Sequence, residues 1–191
     1  MNVVEEMVIL LGISLDIFGA MECQGSLVAK IDKKQLLIFS GILTAGQTVA
    51  LTFGSIFAKL LCQKQIQVQD VFLGQVMAAA IFLCLGLRLL VKAWKNEGVV
   101  EHREETFDVG PFLRRYVHSV LFTMLTGFAM GFLGTPLAVQ LLLAVIFTVL
   151  AAIIGMYTGY RLGYEHKMKA YAIGGVLLIA GCVDVIIKYW C

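Results

Sequence analysis

The sequence predicts an all-α integral membrane protein: six transmembrane helices in two inverted three-helix repeats. Three observations predict it. Of the 191 residues, 60% are hydrophobic and only 15% charged, against about a quarter charged in ordinary soluble domains. The mean hydropathy is +0.88. The charges gather between apolar runs long enough to cross a hydrocarbon core of about 30 Å, which takes about 20 residues of helix.

The first run is Met7–Gly25. The residues before it, MNVVEEM, are acidic and carry no basic n-region, so this run is expected to stay in the mature chain as a helix. Gln35–Ala58 and Val71–Val91 follow as the second and third spans. The segment WKNEGVVEHREETFDVGPF is then polar, charged and the one long connection. It reads as a cytoplasmic linker, residues 95–112, between a first repeat over 1–94 and a second over 113–191, all in a single membrane domain. Tyr116–Leu133, Leu137–Tyr160 and Ala170–Tyr189 complete the six. Gly155, Gly159 and Gly163 on the fifth, and Gly127 and Gly131 on the fourth, have the four-residue spacing that lets membrane helices approach closely.

Basic residues set the orientation, because cytoplasmic loops are enriched in Lys and Arg. With the N-terminus outside, the inside receives Lys30, Lys33, Lys34, Lys92, Lys95, Arg103, Arg114, Arg115, Arg161, Lys167 and Lys169. The outside receives Lys59, Lys64 and Lys188, and Arg88 lies within a span. The expected topology is N-out and C-out in the plasma membrane, which is the inner membrane of a bacterial cell.

The halves resemble each other faintly. LRLLVKAW (Leu87–Trp94) ends the third span and VDVIIKYW (Val183–Trp190) the sixth. SLDIFGAM (Ser14–Met21) in the first span aligns with MLTGFAMG (Met124–Gly131) in the fourth, which sets Asp16 opposite Thr126. Three helices per half make the second copy enter from the opposite face. Such inverted repeats are common in secondary transporters and place the substrate near the midplane.

Asp16 is the residue that points to chemistry. It lies roughly 13–14 Å along the first span at 1.5 Å per residue, near mid-bilayer. A carboxylate there costs roughly 2.5–3.5 kcal/mol on insertion scales, so it calls for a partner or a function. Gly12, Gly19, Ala20 and Cys23 share its face, which turns it toward the bundle. It reads either as a structural, hydrogen-bonded carboxyl or as a cation ligand or proton carrier. Thr44, Gln47, Thr48 and Thr52 form a polar stripe on the second span. Their oxygens suit a hard cation, and equally suit interhelical hydrogen bonding. Glu22 lies about 9 Å farther in but 240° around the helix from Asp16. At that depth it is expected to pair with Arg88, the alternative being a relay from Asp16 to the cytoplasm. Asp184 is expected to pair with Lys188 one turn away, and His118 to be solvated or bonded to backbone.

Other classes are excluded on residues. Cys23, Cys62, Cys84, Cys182 and Cys191 contain no CxxC pair, so no zinc or redox motif is present. A thiol-disulfide carrier would need paired cysteines on the first and fourth spans, and the fourth has none. No basic–aromatic patch or phosphate loop indicates nucleic-acid or nucleotide binding, and no nucleophile–base pair indicates an enzyme. No cofactor is expected. The expected partners are the lipid bilayer and a cation, and a homo-oligomer is open.

GISLDIFGAMECQG (Gly12–Gly25), LGLRLL around Arg88, TGFAMGF in the fourth span and AIGGVLLIAG (Ala172–Gly181) together resemble the MntP-type manganese efflux pumps of the LysE-like exporter group. The resemblance implies a secondary transporter that exports Mn²⁺ or another divalent metal, with Mn²⁺ as cargo and intramembrane acids as ligands. Asp16 stands at the family's first-span aspartate and Gly25 at the glycine that closes that motif. The second-span acid falls on Gln47 and the fourth-span aspartate on Thr126. The implied metal set is Asp16, Gln47, Thr44 and Thr126, with Glu22 as a further acid. Loss of two carboxylates also leaves open a LysE-like exporter of an organic solute, or a scaffold derived from the family that transports nothing.

Overall fold

The computed structural model describes residues 3–27, 33–63, 68–95, 109–163 and 166–190. These form six helices: α1 (Val3–Leu27), α2 (Lys33–Gln63), α3 (Val68–Lys95), α4 (Val109–Phe132), α5 (Leu137–Leu162) and α6 (Lys167–Trp190). Each expected span falls on one of them, and only Leu133 passes into a turn. Most of the linker expected over 95–112 lies outside the described residues.

Among the described residues, α2, α3, α5 and α6 have stretches long and apolar enough to cross a bilayer, and α4 has a shorter apolar stretch, Tyr116–Phe132. Their outward faces are greasy: Leu37, Phe53, Leu73, Leu142, Val176 and Ile187 are all exposed. A water-soluble domain would bury such residues, whereas lipid tails solvate them. The chain is a multi-pass membrane protein. In contrast, α1 is mostly enclosed and carries the buried Asp16 and Glu22.

α1 packs on α5 and α6, α2 on α4 and α5, and α3 on α6 and α4. Lipid gives helices no hydrophobic drive to associate, so close backbone approach and van der Waals contact hold them. The glycines act at these crossings. Gly155 and Gly159 meet the carbonyls of Phe18 and Glu22 on α1, while Gly127 and Gly131 meet Leu51 and Ser55 on α2. Gly163 differs from Gly155 and Gly159: it ends α5 at φ 72°, and a Cβ there would meet nothing within 4 Å among the described residues.

The α4–α5 turn is short because Gly134 takes φ 67°. Its N–H donates to Gly131 O, and the Thr135 N–H to Met130 O. These bonds satisfy the last carbonyls of α4 in a left-handed glycine cap, and Pro136 then opens α5.

Candidate cation site

α1 presents Asp16 to α3 at 5% residue exposure. Lys92 Nζ donates to Asp16 Oδ1 at 2.6 Å, and Arg88 Nη1 lies 3.7 Å from Oδ2. Lys92 and Arg88 stand one turn apart on α3, so one helix face delivers both charges. Each cation also rests on an aromatic ring from the second half of the chain. The Arg88 guanidinium is 3.4 Å from the centroid of Phe122 on α4. Lys92 Nζ is 4.3 Å from that of Tyr171 on α6. Gly19, one turn from Asp16, makes room for Tyr171, whose ring would lie 2.5 Å from a Cβ there. The site thus joins α1, α3, α4 and α6.

This geometry corrects one expected pairing. Arg88 pairs with Asp16, not Glu22. Depth alone had matched Arg88 to Glu22, but the two acids face different neighbours around α1. Glu22, fully buried, turns to the α5–α6 end, where its Oε1 accepts the His166 backbone N–H at 2.9 Å just before α6. Amide donors at a helix start are unpaired within the helix and favour a carboxylate. His166 Nδ1 lies 4.0 Å from the same oxygen. Lys188 donates to Glu5 at 2.9 Å where α6 ends beside the start of α1, so a carboxylate from another helix also serves it. His118 is exposed.

The remaining candidate ligands lie along α2 and α4. Gln47, fully buried, donates from Nε2 to Ser119 Oγ at 3.4 Å. Thr44, Thr48 and Thr52 donate to the carbonyls of Ser40, Thr44 and Thr48 on their own helix, at 2.7, 3.0 and 2.6 Å. Thr126, fully buried, donates to Phe122 O at 3.0 Å. The threonine bonds therefore stay within their own helices and the Gln47 bond joins α2 to α4, while those of Asp16 run to α3. A hydroxyl that donates its proton keeps lone pairs for a cation. No cluster of three or more His, Cys, Asp or Glu that could hold a metal occurs among the described residues.

The sequence reading missed several residues. Lys92, just past an apolar run, reads in sequence as a loop charge. Tyr171 and Phe122 carried no polar signal in an apolar run. A buried network also escaped notice: Ser55 Oγ lies 3.0 Å from both Gln140 Oε1 and Gly127 O, Gln140 Nε2 donates to Thr135 Oγ1, and Thr135 Oγ1 donates to Met130 O. A Gln one turn into an apolar helix was its only visible trace.

The family model described as "Mntp: Putative manganese efflux pump" matches residues 30–186. The chain belongs to this MntP family. The match takes in α2 to α5 entire and most of α6, and it begins after α1, so Asp16 lies outside the matched residues. No curated protein and no solved structure matches the chain. MntP proteins form a transporter family and not an enzyme family, which accords with the apolar helices and the acid enclosed among them.

Proposed function

We propose that this MntP protein exports a divalent cation, Mn²⁺ being the first choice, from the cytoplasm through a site centred on Asp16. The observation that carries this reading is the enclosed Asp16 carboxylate, held among α1, α3, α4 and α6 and compensated by the Lys92 and Arg88 side chains. A carboxylate is a hard ligand suited to Mn²⁺. Gln47, Thr44 and Thr126 supply neutral oxygens in a state in which the helices bring them toward Asp16. Glu22 is a second acid on the cytoplasmic side of the path.

All six helices cross the bilayer in this reading, with both termini outside, in the plasma (inner) membrane. Two inverted triplets account for the packing: exchanging α1, α2, α3 with α4, α5, α6 turns the α1–α5 contact into α4–α2, and α1–α6 into α4–α3. The glycine crossings support the same exchange, since Gly155 meets α1 near Phe18 as Gly54 meets α4 near Phe128.

One observation favours a second reading. Asp16 with Lys92 and Arg88 carries a net positive charge, beside the rings of Tyr171 and Phe122. Such a set could take an organic anion or zwitterion, as expected of a LysE-like exporter. Asp16→Asn in a manganese-sensitive host separates the two. Loss of Mn²⁺ tolerance, with normal amounts of protein in the membrane, supports metal export. Unchanged tolerance removes Asp16 from metal transport and leaves the organic solute, to be sought with a panel of labelled compounds.

A further inference from the structure

Lys92 and Arg88 do not serve Asp16 equally. Lys92 Nζ, at 2.6 Å, makes the short contact of a charge-assisted hydrogen bond. Arg88, at 3.7 Å, is the more distant partner, and its guanidinium is stacked on Phe122. The Lys92 side chain is 38% exposed and that of Asp16 only 7%. The ammonium is thus a cation on a flexible stem, reaching from the open side into the position that a cation bound to Asp16 would occupy. Its ring contact offers it a second seat, because the face of Tyr171 can hold an ammonium on its own.

We infer that Lys92 is a tethered competitor for the cargo, filling the cation position of Asp16 between transport events and moving onto Tyr171 when a divalent ion arrives. The inference rests on the reading of Asp16 as a cargo ligand. Arg88 stays on Phe122 throughout and keeps the carboxylate compensated after Lys92 leaves. The empty carrier then has no bare carboxylate in hydrocarbon, where it would be costly. Cargo affinity is set by the difference between the ion and the ammonium, so Lys92 determines both strength and selectivity: only an ion that outcompetes a singly charged ammonium loads the site.

The test uses the full chain purified in detergent, with Mn²⁺ binding followed by calorimetry. Lys92→Gln removes the competitor and should tighten Mn²⁺ binding by at least about tenfold, the scale of close charge-pair couplings. Lys188→Gln, which removes the same charge from the distant Glu5 pair, should leave binding as in the wild type. A second measurement needs no variant: labelling of Lys92 by an amine-reactive reagent, read by mass spectrometry, should rise as Mn²⁺ is added to the wild-type protein. If the wild type binds Mn²⁺ while Lys92→Gln binds no tighter, or Lys92 labelling stays flat, the competitor role is overturned and metal transport stands. Absence of Mn²⁺ binding in both wild type and Lys92→Gln overturns the metal reading itself. If Lys92→Gln does not fold, the labelling result decides alone.

Discussion

Gly155 sets how closely α5 can approach α1 beside Asp16, and replacing it by alanine has a cost that can be worked from the contact. A Cβ at Gly155 would lie 2.6 Å from Phe18 O and 3.1 Å from Met21 Cβ. Carbon and oxygen meet without strain at about 3.4 Å, so the helices must part by about 0.8 Å. The obstructing carbonyl belongs to helix backbone and cannot rotate away. Overpacking of this kind typically costs about 1–3 kcal/mol. Alanine's better helix propensity, about 1 kcal/mol over glycine, works in the opposite direction. Gly41→Ala isolates that gain, because nothing lies within 4 Å of a Cβ at Gly41 on α2. Gly155→Ala should therefore be less stable than Gly41→Ala by about 1–3 kcal/mol, measured by unfolding in mixed micelles. Equal stability of the two variants would refute the claim that glycine contact holds α1 on α5.

Two further outcomes test the structure around the site. Gly134→Ala should lose about 1–2 kcal/mol in thermal unfolding, because φ 67° is left-handed and the surrounding space is open, so the cost is conformational alone. Gly134→Asn should lose less, since asparagine tolerates that region better. Gln140→Ala should cost about 1–3 kcal/mol by removing two buried hydrogen bonds, to Ser55 and Thr135, whose hydroxyls then keep only their carbonyl partners. Its effect and that of Ser55→Ala should fail to add in a double-mutant cycle.

The helices were legible because each is a long apolar run set off by charged or turn-forming residues, four of them long and apolar enough among the described residues to cross a bilayer. Asp16 was legible for the same reason, as an acid in the middle of such a run, and Gly12 and Gly19 gave its face: they meet Gly174 and Tyr171 on α6. Partners were not legible. Residue count gives depth, and depth matched Arg88 with Glu22, but pairing depends also on rotation about each helix and on which helices are neighbours. Lys92 shows a second reason. It lies one turn from the end of α3, where lysines commonly extend toward water, and here the stem turns inward to a buried carboxylate. Lys188 followed the in-helix rule on paper, yet the end of α6 lies beside Glu5. Gln47, Thr44 and Thr126 read as ligands in sequence, yet the two threonines bond to their own helices and Gln47 joins α2 to α4, which spacing alone does not reveal.

Mn²⁺ flux in proteoliposomes, wild type against Asp16→Asn, tests the account at its centre. Reconstituted wild-type protein should carry Mn²⁺ across the membrane down an imposed gradient, and the variant, which keeps the shape of the side chain but lacks its charge, should be reduced to the rate of protein-free vesicles. Equal flux through both proteins would contradict the account, because the enclosed carboxylate would then hold helices together and take no part in moving the ion.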